Sequence, residues 1–243
     1  MAKQQTNKIR KISLPKNALN VYENYKYTPY YINIGSAKFK KYVHVGKGTY
    51  EEINRELQKL TNNKKISQKE RFEILRKNKI GIDCSGFIIN ILDVITEKKY
   101  GKHVWKLLKK PTVNPIKLFK YTIRPKTSKL NAAVLTSDIN TKKIETVKNI
   151  KVGDLIKSNG GKHVAIIHRL EYIDGKIHKI YYLQSTEKIG VMEGWIKIKD
   201  ENKSLDTQLW QKIKGAQYQP YYLYRRKINN NDIRRLNFMT KKI

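Results

Sequence analysis

The chain has 243 residues, with 52 Lys and Arg against 20 Asp and Glu, a formal charge of +32, and 39% apolar residues counting tyrosine. That length and apolar share suffice for one elaborated domain with a sizeable core. The single cysteine excludes an internal disulfide and a thiol-rich metal site, and no apolar run reaches membrane-spanning length.

Residues 1–20 are polar and basic, contain Pro15, and read as a loose arm. No apolar h-region follows the basic start, so no signal peptide is expected, and the default is a protein made in the cytosol. A role outside the cell would need release by lysis, a dedicated system, or a structure that carries it. Residues 21–46 are rich in tyrosine and read as loops with a short strand in the run Tyr30-Tyr31-Ile32-Asn33-Ile34; the tyrosines either pack on the core or line a groove. Thr49 with Glu52 forms a capping box and opens a helix to about Leu60, with Ile53, Leu57 and Leu60 on one face. Ser67 with Glu70 repeats the box and opens a second helix through Leu75.

Gly81-Ile82-Asp83-Cys84-Ser85-Gly86-Phe87 then enters a third helix, with Asp83 as N-cap and an apolar run behind it. Cys84 falls in the first turn, where free backbone N–H groups and the helix dipole favour a thiolate. Gly81 and Gly86 leave room for another group to approach the sulfur. This is how a cysteine nucleophile is commonly placed; the alternative is a buried structural cysteine.

Residues 98–150 mix many lysines with Trp105, Phe119 and Tyr121, and read either as a polyanion-binding stretch or as a solvated surface insertion. Asn114-Pro115 reads as the start of a short helix. From residue 150 strands dominate: Leu155-Ile156-Lys157, His163 to Tyr172, Ile177 to Ser185, Trp195 to Ile198 and Tyr221 to Tyr224, with a short helix from Asp206 to Lys214. Three helices thus precede an antiparallel meander, an α+β arrangement.

Asp174-Gly175 is a strong two-residue hairpin turn. That turn sets His163 opposite Thr186 and Ala165 opposite Gln184. Period two then puts His163 and Gln184 on one face as diagonal neighbours, with His168 on the other face and His178 opposite Glu171. The chain therefore offers, in order, a nucleophile Cys84, a base His163 and an orienting amide Gln184, the set a thiol hydrolase needs.

Gly81-Ile82-Asp83-Cys84-Ser85-Gly86-Phe87, Val152-Gly153-Asp154-Leu155-Ile156 and His163-Val164-Ala165-Ile166-Ile167 together resemble the successive motifs of the NlpC-type cell-wall peptidases, small papain-like cysteine hydrolases. The likeness covers roughly residues 77–96 and 150–190. It implies a papain-like core with N-terminal helices packed on the sheet, and hydrolysis of peptide bonds in peptidoglycan stem peptides. No metal or other cofactor is implied. By position Cys84 is the nucleophile, His163 the base, and Gln184 stands where the family most often has a histidine. An upstream tyrosine, unassigned by position, is implied beside the backbone donors for the oxyanion. Residues 1–48 are then an N-terminal extension, 49–228 the hydrolase domain with 98–150 as a basic insertion, and 229–243 a basic tail.

Three functions compete. The first is a peptidase or amidase on peptidoglycan. The second is a papain-like acyltransferase, deamidase or peptidase on another substrate. The third is a vestigial site on a protein that binds nucleic acid or anionic wall polymer. The net charge alone predicts salt-sensitive attraction to such polyanions.

Overall fold

The structure, a computed structural model, describes residues 8–32, 42–109, 130–211 and 232–240. The readings at Asn114-Pro115 and at Tyr221 to Tyr224 lie outside those residues. The described chain is α+β, with a fully antiparallel sheet. Its elements are β1 (Ile9–Ser13), α1 (Lys16–Tyr25), α2 (Tyr50–Leu60), α3 (Gln68–Lys77), α4 (Cys84–Tyr100), α5 (Val104–Leu107), α6 (Ala132–Leu135) and β2 (Thr141–Ile144). There follow β3 (Leu155–Ser158), β4 (His163–Ile173), β5 (Lys176–Thr186), β6 (Gly190–Lys197), β7 (Leu209–Trp210), β8 (Asp232–Leu236) and α7 (Asn237–Thr240).

The helix starts follow from local hydrogen bonding. Both capping boxes close: Thr49 Oγ1 accepts from Glu52 N–H at 3.2 Å, and Ser67 Oγ accepts from Glu70 N–H at 3.2 Å, while each glutamate returns a bond to the cap backbone. Ile53 and Leu57 are buried as the period requires, but Leu60 is 45% exposed because α2 ends there.

The sheet order is β2-β8-β3-β4-β5-β6-β7, and β1 pairs with the far half of β4. From β3 to β7 the chain meanders; β8 and β2 extend the sheet beyond β3. The two faces carry two cores. Val164, Ile166 and Leu183 point to α4, whose Phe87, Ile88, Ile91 and Leu92 are fully buried. Ala165, Ile167 and Tyr182 point the other way, onto Val147, Ile150 and Leu205.

Several expectations fail, each for a tertiary reason. Residues read as a loose arm form β1 and α1; Pro15 sits just before the first helical residue, where its missing N–H costs nothing, and Ala18 and Tyr25 are buried in the α4 core. Two strands and six helices therefore precede the main meander, and no strand forms at Tyr30-Tyr31-Ile32, the described part of the run read as a short strand. Part of the segment read as a surface insertion is core: Leu130, Leu135, Val147 and Ile150 are buried and β2 joins the sheet. The helix expected from Asp206 is instead a single 3-10 turn at Leu205–Thr207 followed by β7. Residues read as a basic tail supply β8, which lies between β2 and β3 and buries Ile233 and Leu236.

Candidate active site

Asp83 caps α4 as the sequence predicts, its Oδ1 accepting the Gly86 N–H at 2.6 Å. The capping segment is tied to three neighbours. Ile82 N–H donates to Pro29 O at 3.0 Å, Asp83 N–H donates to Gly46 O at 3.0 Å, and Ser185 Oγ of β5 donates to Ile82 O at 2.8 Å. The last bond sets the N-terminus of α4 against β5, one residue past Gln184. Contrary to the sequence expectation, the glycines do not open a path to the sulfur. A methyl group on Gly86 would run into the Gly46 carbonyl, and one on Gly81 into the Pro29 carbonyl, so both positions exist for backbone-to-backbone packing.

Cys84 is a free thiol, 5% exposed. The backbone N–H groups of Val164 and Ser85 act electrostatically on its sulfur, which puts it within reach of the start of β4, where His163 precedes Val164. Burial pushes the thiol up to about 11, and the Asp83 charge adds to this. The Val164 N–H, the Lys47 ammonium and the Ser85 N–H pull the other way without prevailing. The helix terminus thus does not produce a resting thiolate: loss of water around the sulfur outweighs the N–H groups and the dipole.

His163 opens β4 and keeps part of its surface accessible. Its Nε2 lies 2.9 Å from Gln184 Oε1, and the Gln184 amide nitrogen faces Met192 Sδ at 3.7 Å. That orientation makes the amide oxygen the acceptor, so Nε2 carries the proton and Nδ1 keeps the lone pair. Burial lowers the imidazole pKa, opposed by the Gln184 bond and the Asp83 charge. At neutral pH the sulfur and the ring are therefore both uncharged.

The hairpin explains how His163 meets Gln184. Asp174 and Gly175 both have positive φ, 49° and 82°, as a two-residue turn with Asp-Gly requires. Two bulges interrupt the ladder beyond it, one in β4 at His168 and one in β5 at His178. The extra residues fall on opposite strands and cancel, so Ile166 still faces Leu183 and the register at the site is the one the turn alone predicts. Between the bulges it is displaced, and Glu171 pairs with Lys179 rather than His178. His168 is buried against Glu193, Nε2 to Oε1 at 2.6 Å.

Two residues at the site were not picked out from the sequence. Tyr30 has its hydroxyl pKa raised, by burial first and then by the charges of Cys84, Asp83 and Glu187, which puts it within electrostatic reach of the sulfur. Lys47 lies under the cap of α4, its Nζ 2.8 Å from Asp83 Oδ1. Tyr30 is one of 16 tyrosines and Lys47 one of 52 basic residues, so neither stands out by type. The flanking glycines of Gly46-Lys47-Gly48 are the nearest thing to a signal.

A separate groove of about 920 Å³ opens on the β2, β4 and β8 side and contains none of Cys84, His163 and Gln184. Its floor includes Ile144, Ile150 and Leu170, and Lys142, Lys143, Lys148 and Lys151 border it. Among the described residues no group of three or more His, Cys, Asp or Glu side chains is clustered as for a metal ion, and no helix is long and apolar enough to cross a membrane. Comparison with protein-family models, curated proteins and solved structures returns no match.

Proposed function

We propose that the chain is a papain-like cysteine hydrolase of NlpC type, a peptidase or amidase acting on peptidoglycan stem peptides. The observation that carries this reading is the His163–Gln184 pair at 2.9 Å, on a strand whose next residue, Val164, bears through its backbone N–H on the Cys84 thiol at the start of a capped, buried helix. The motif resemblance supplies the substrate class.

The resting pair being neutral, His163 acts as a general base rather than as half of a stored ion pair. Nδ1 takes the thiol proton as the sulfur attacks the scissile carbonyl carbon, and the carbonyl π electrons move to oxygen. Gln184 holds the ring through Nε2–H and steadies the imidazolium without adding a charge. Backbone N–H groups at the α4 terminus and the Tyr30 hydroxyl, which burial keeps protonated, are the donors proposed for the oxyanion. Collapse of the intermediate breaks the C–N bond, and the imidazolium gives its proton to the leaving amine. Water, deprotonated by the same nitrogen, then cleaves the thioester and restores the thiol.

The test is digestion of purified muropeptides with wild type and Cys84→Ala. New amine and carboxyl termini released by wild type alone are expected; an inert wild type on muropeptides of several stem types sinks the reading. The pH profile is a sharper expectation. His163 must be neutral to accept the proton and its pKa is depressed by burial, so the acid limb of kcat/KM falls below the ordinary imidazole value of 6.5. An acid limb at or above 6.5 would contradict it.

The groove favours a second property, retention on anionic polymer, which the wall would present. Its lysine border has charge complementarity to phosphate-bearing chains. Replacing Lys142, Lys148 and Lys151 by glutamine is expected to lower the log–log salt slope of wall binding by about three. If that function were the only one, Cys84→Ala would leave binding intact and no wild-type digestion would be seen.

A further inference from the structure

Lys47 is a buried cation beside the sulfur that the hydrolytic steps above do not use. It is bridged through its backbone to Ile82, and its side chain runs to the first turn of α4. There Nζ donates to Asp83 Oδ1 at 2.8 Å, to Ser85 Oγ, and to Leu130 O at 3.3 Å. The side chains of Lys47 and Asp83 are 6% and 4% exposed, so water screens this pair little. The same Asp83 oxygen also takes the Gly86 N–H at 2.6 Å and the Ser85 hydroxyl at 2.9 Å.

A buried ion pair is an expensive way to cap a helix. An asparagine would accept the Gly86 N–H without needing a partner ion. What the pair provides is a carboxylate next to Cys84 whose charge is answered at the same place. The groups that bear on the sulfur are Asp83, which opposes its ionisation, and Lys47 with the Val164 and Ser85 N–H groups, which favour it. Tyr30, within electrostatic reach of the sulfur, is a neutral hydroxyl. His163, next to Val164, is the proton acceptor.

We propose that Lys47 is a positioning residue for Cys84: its ammonium, fixed by Asp83, Ser85 and the Leu130 carbonyl, cancels the Asp83 charge beside the sulfur and so lets the thiol proton leave during attack. This rests on Cys84 being the nucleophile. It assigns Lys47 no contact with substrate.

The test uses four full-length proteins: wild type, Lys47→Met, Asp83→Asn and the double variant. Each is examined by iodoacetamide modification of Cys84 at pH 8 and by chemical denaturation. A neighbouring opposite charge moves a pKa by about one unit or more, and the gain in thiolate nucleophilicity with pKa returns about half of the tenfold loss on a log scale, so Lys47→Met is expected to react at least about threefold more slowly. The double variant is expected to recover most of that loss, because the unanswered carboxylate has gone. Where turnover is measurable, kcat follows the same order with KM little changed. A purely structural lysine would lower stability and leave the reactivity of the folded protein unchanged, and that result overturns the proposal.

Should Lys47→Met not fold, the double variant is compared with Asp83→Asn, which differs from it only by the ammonium. Slower modification of the double variant supports the proposal, and equal rates overturn it. Alkylation reads the sulfur without turnover. A chain inert on muropeptides whose reactivity still follows the charges would sink the hydrolase reading alone.

Discussion

Replacing Cys84 by alanine, or His163 by alanine, is expected to lower kcat on stem peptides by about 10⁴-fold or more, with the double variant little worse than either. On the proposed mechanism the effects do not add because sulfur and ring perform one step: without the acceptor the thiol stays protonated, and without the sulfur the acceptor has no proton to take. Burial deepens the dependence. With the thiol held up at about 11, only a minute fraction is thiolate at neutral pH, so the protein cannot fall back on a pre-formed anion when His163 is lost. The same fact fixes the resting reactivity. Alkylation of wild type at neutral pH is expected to be slow and to rise with pH toward 11, whereas fast modification well below pH 8 would show that the buried thiol ionises more readily than its surroundings indicate. Gln184→Ala is expected to fall between wild type and His163→Ala, since it removes the partner that fixes the ring but leaves both reacting atoms.

The second large effect is on folding. Arg235→Met is expected to cost about 3–5 kcal/mol, the range for removing one partner of a buried pair. Asp154 is 2% exposed, and its carboxylate is held by Arg235 Nε at 2.7 Å, Arg235 Nη2 at 2.7 Å and the Lys151 N–H at 2.8 Å. Arg235 also donates to Asn149 O at 2.6 Å, so one guanidinium locks β8 to the turn that enters β3. Burial already raises the Asp154 carboxyl pKa, and the Arg235 hydrogen bonds are the strongest force against it. Without Arg235 the folded-state pKa climbs further above the unfolded value. The folded state then binds more protons than the unfolded state, so stability falls as pH rises through that interval. The deficit of Arg235→Met relative to wild type should therefore shrink as pH is lowered, and Asp154→Asn in the same background should reduce it at neutral pH. Denaturation midpoints measured from pH 7 down to pH 5 check both statements. A deficit that stays constant with pH would mean that lost packing, not the stranded carboxylate, carries the cost.

The Asp154 contacts also bear on the motif reading. In the sequence, Gly153-Asp154-Leu155 stands with the residues that resemble a peptidase signature. In the fold, Asp154 is far from Cys84 in role: it anchors β8, while its backbone carbonyl accepts the Ile167 N–H at 2.8 Å and starts the β3–β4 ladder. A motif can thus mark a strand junction as readily as a reacting group.

What the sequence determined by itself is what depends on neighbours a few residues apart. The two capping boxes, the Asp83 cap and the Asp174-Gly175 turn each close within about one turn of chain, so residue type and spacing are enough to specify them. From that turn, period two carried His163 to Gln184. Only the tertiary structure decided that the path between them is sound, because two bulges on opposite strands displace the register and restore it. Tertiary packing also took the N-terminal arm and the basic tail into the sheet: β1 and β8 gain backbone partners that no local pattern in those short basic segments announces. The pairing of Lys47 with Asp83 joins residues 36 apart, and one lysine among so many basic residues carries no label of its own. The ionisation of Cys84 is the clearest case. The helix terminus that favours a thiolate is local and legible, but the burial that opposes it is a property of every element packed around the sulfur, and it wins.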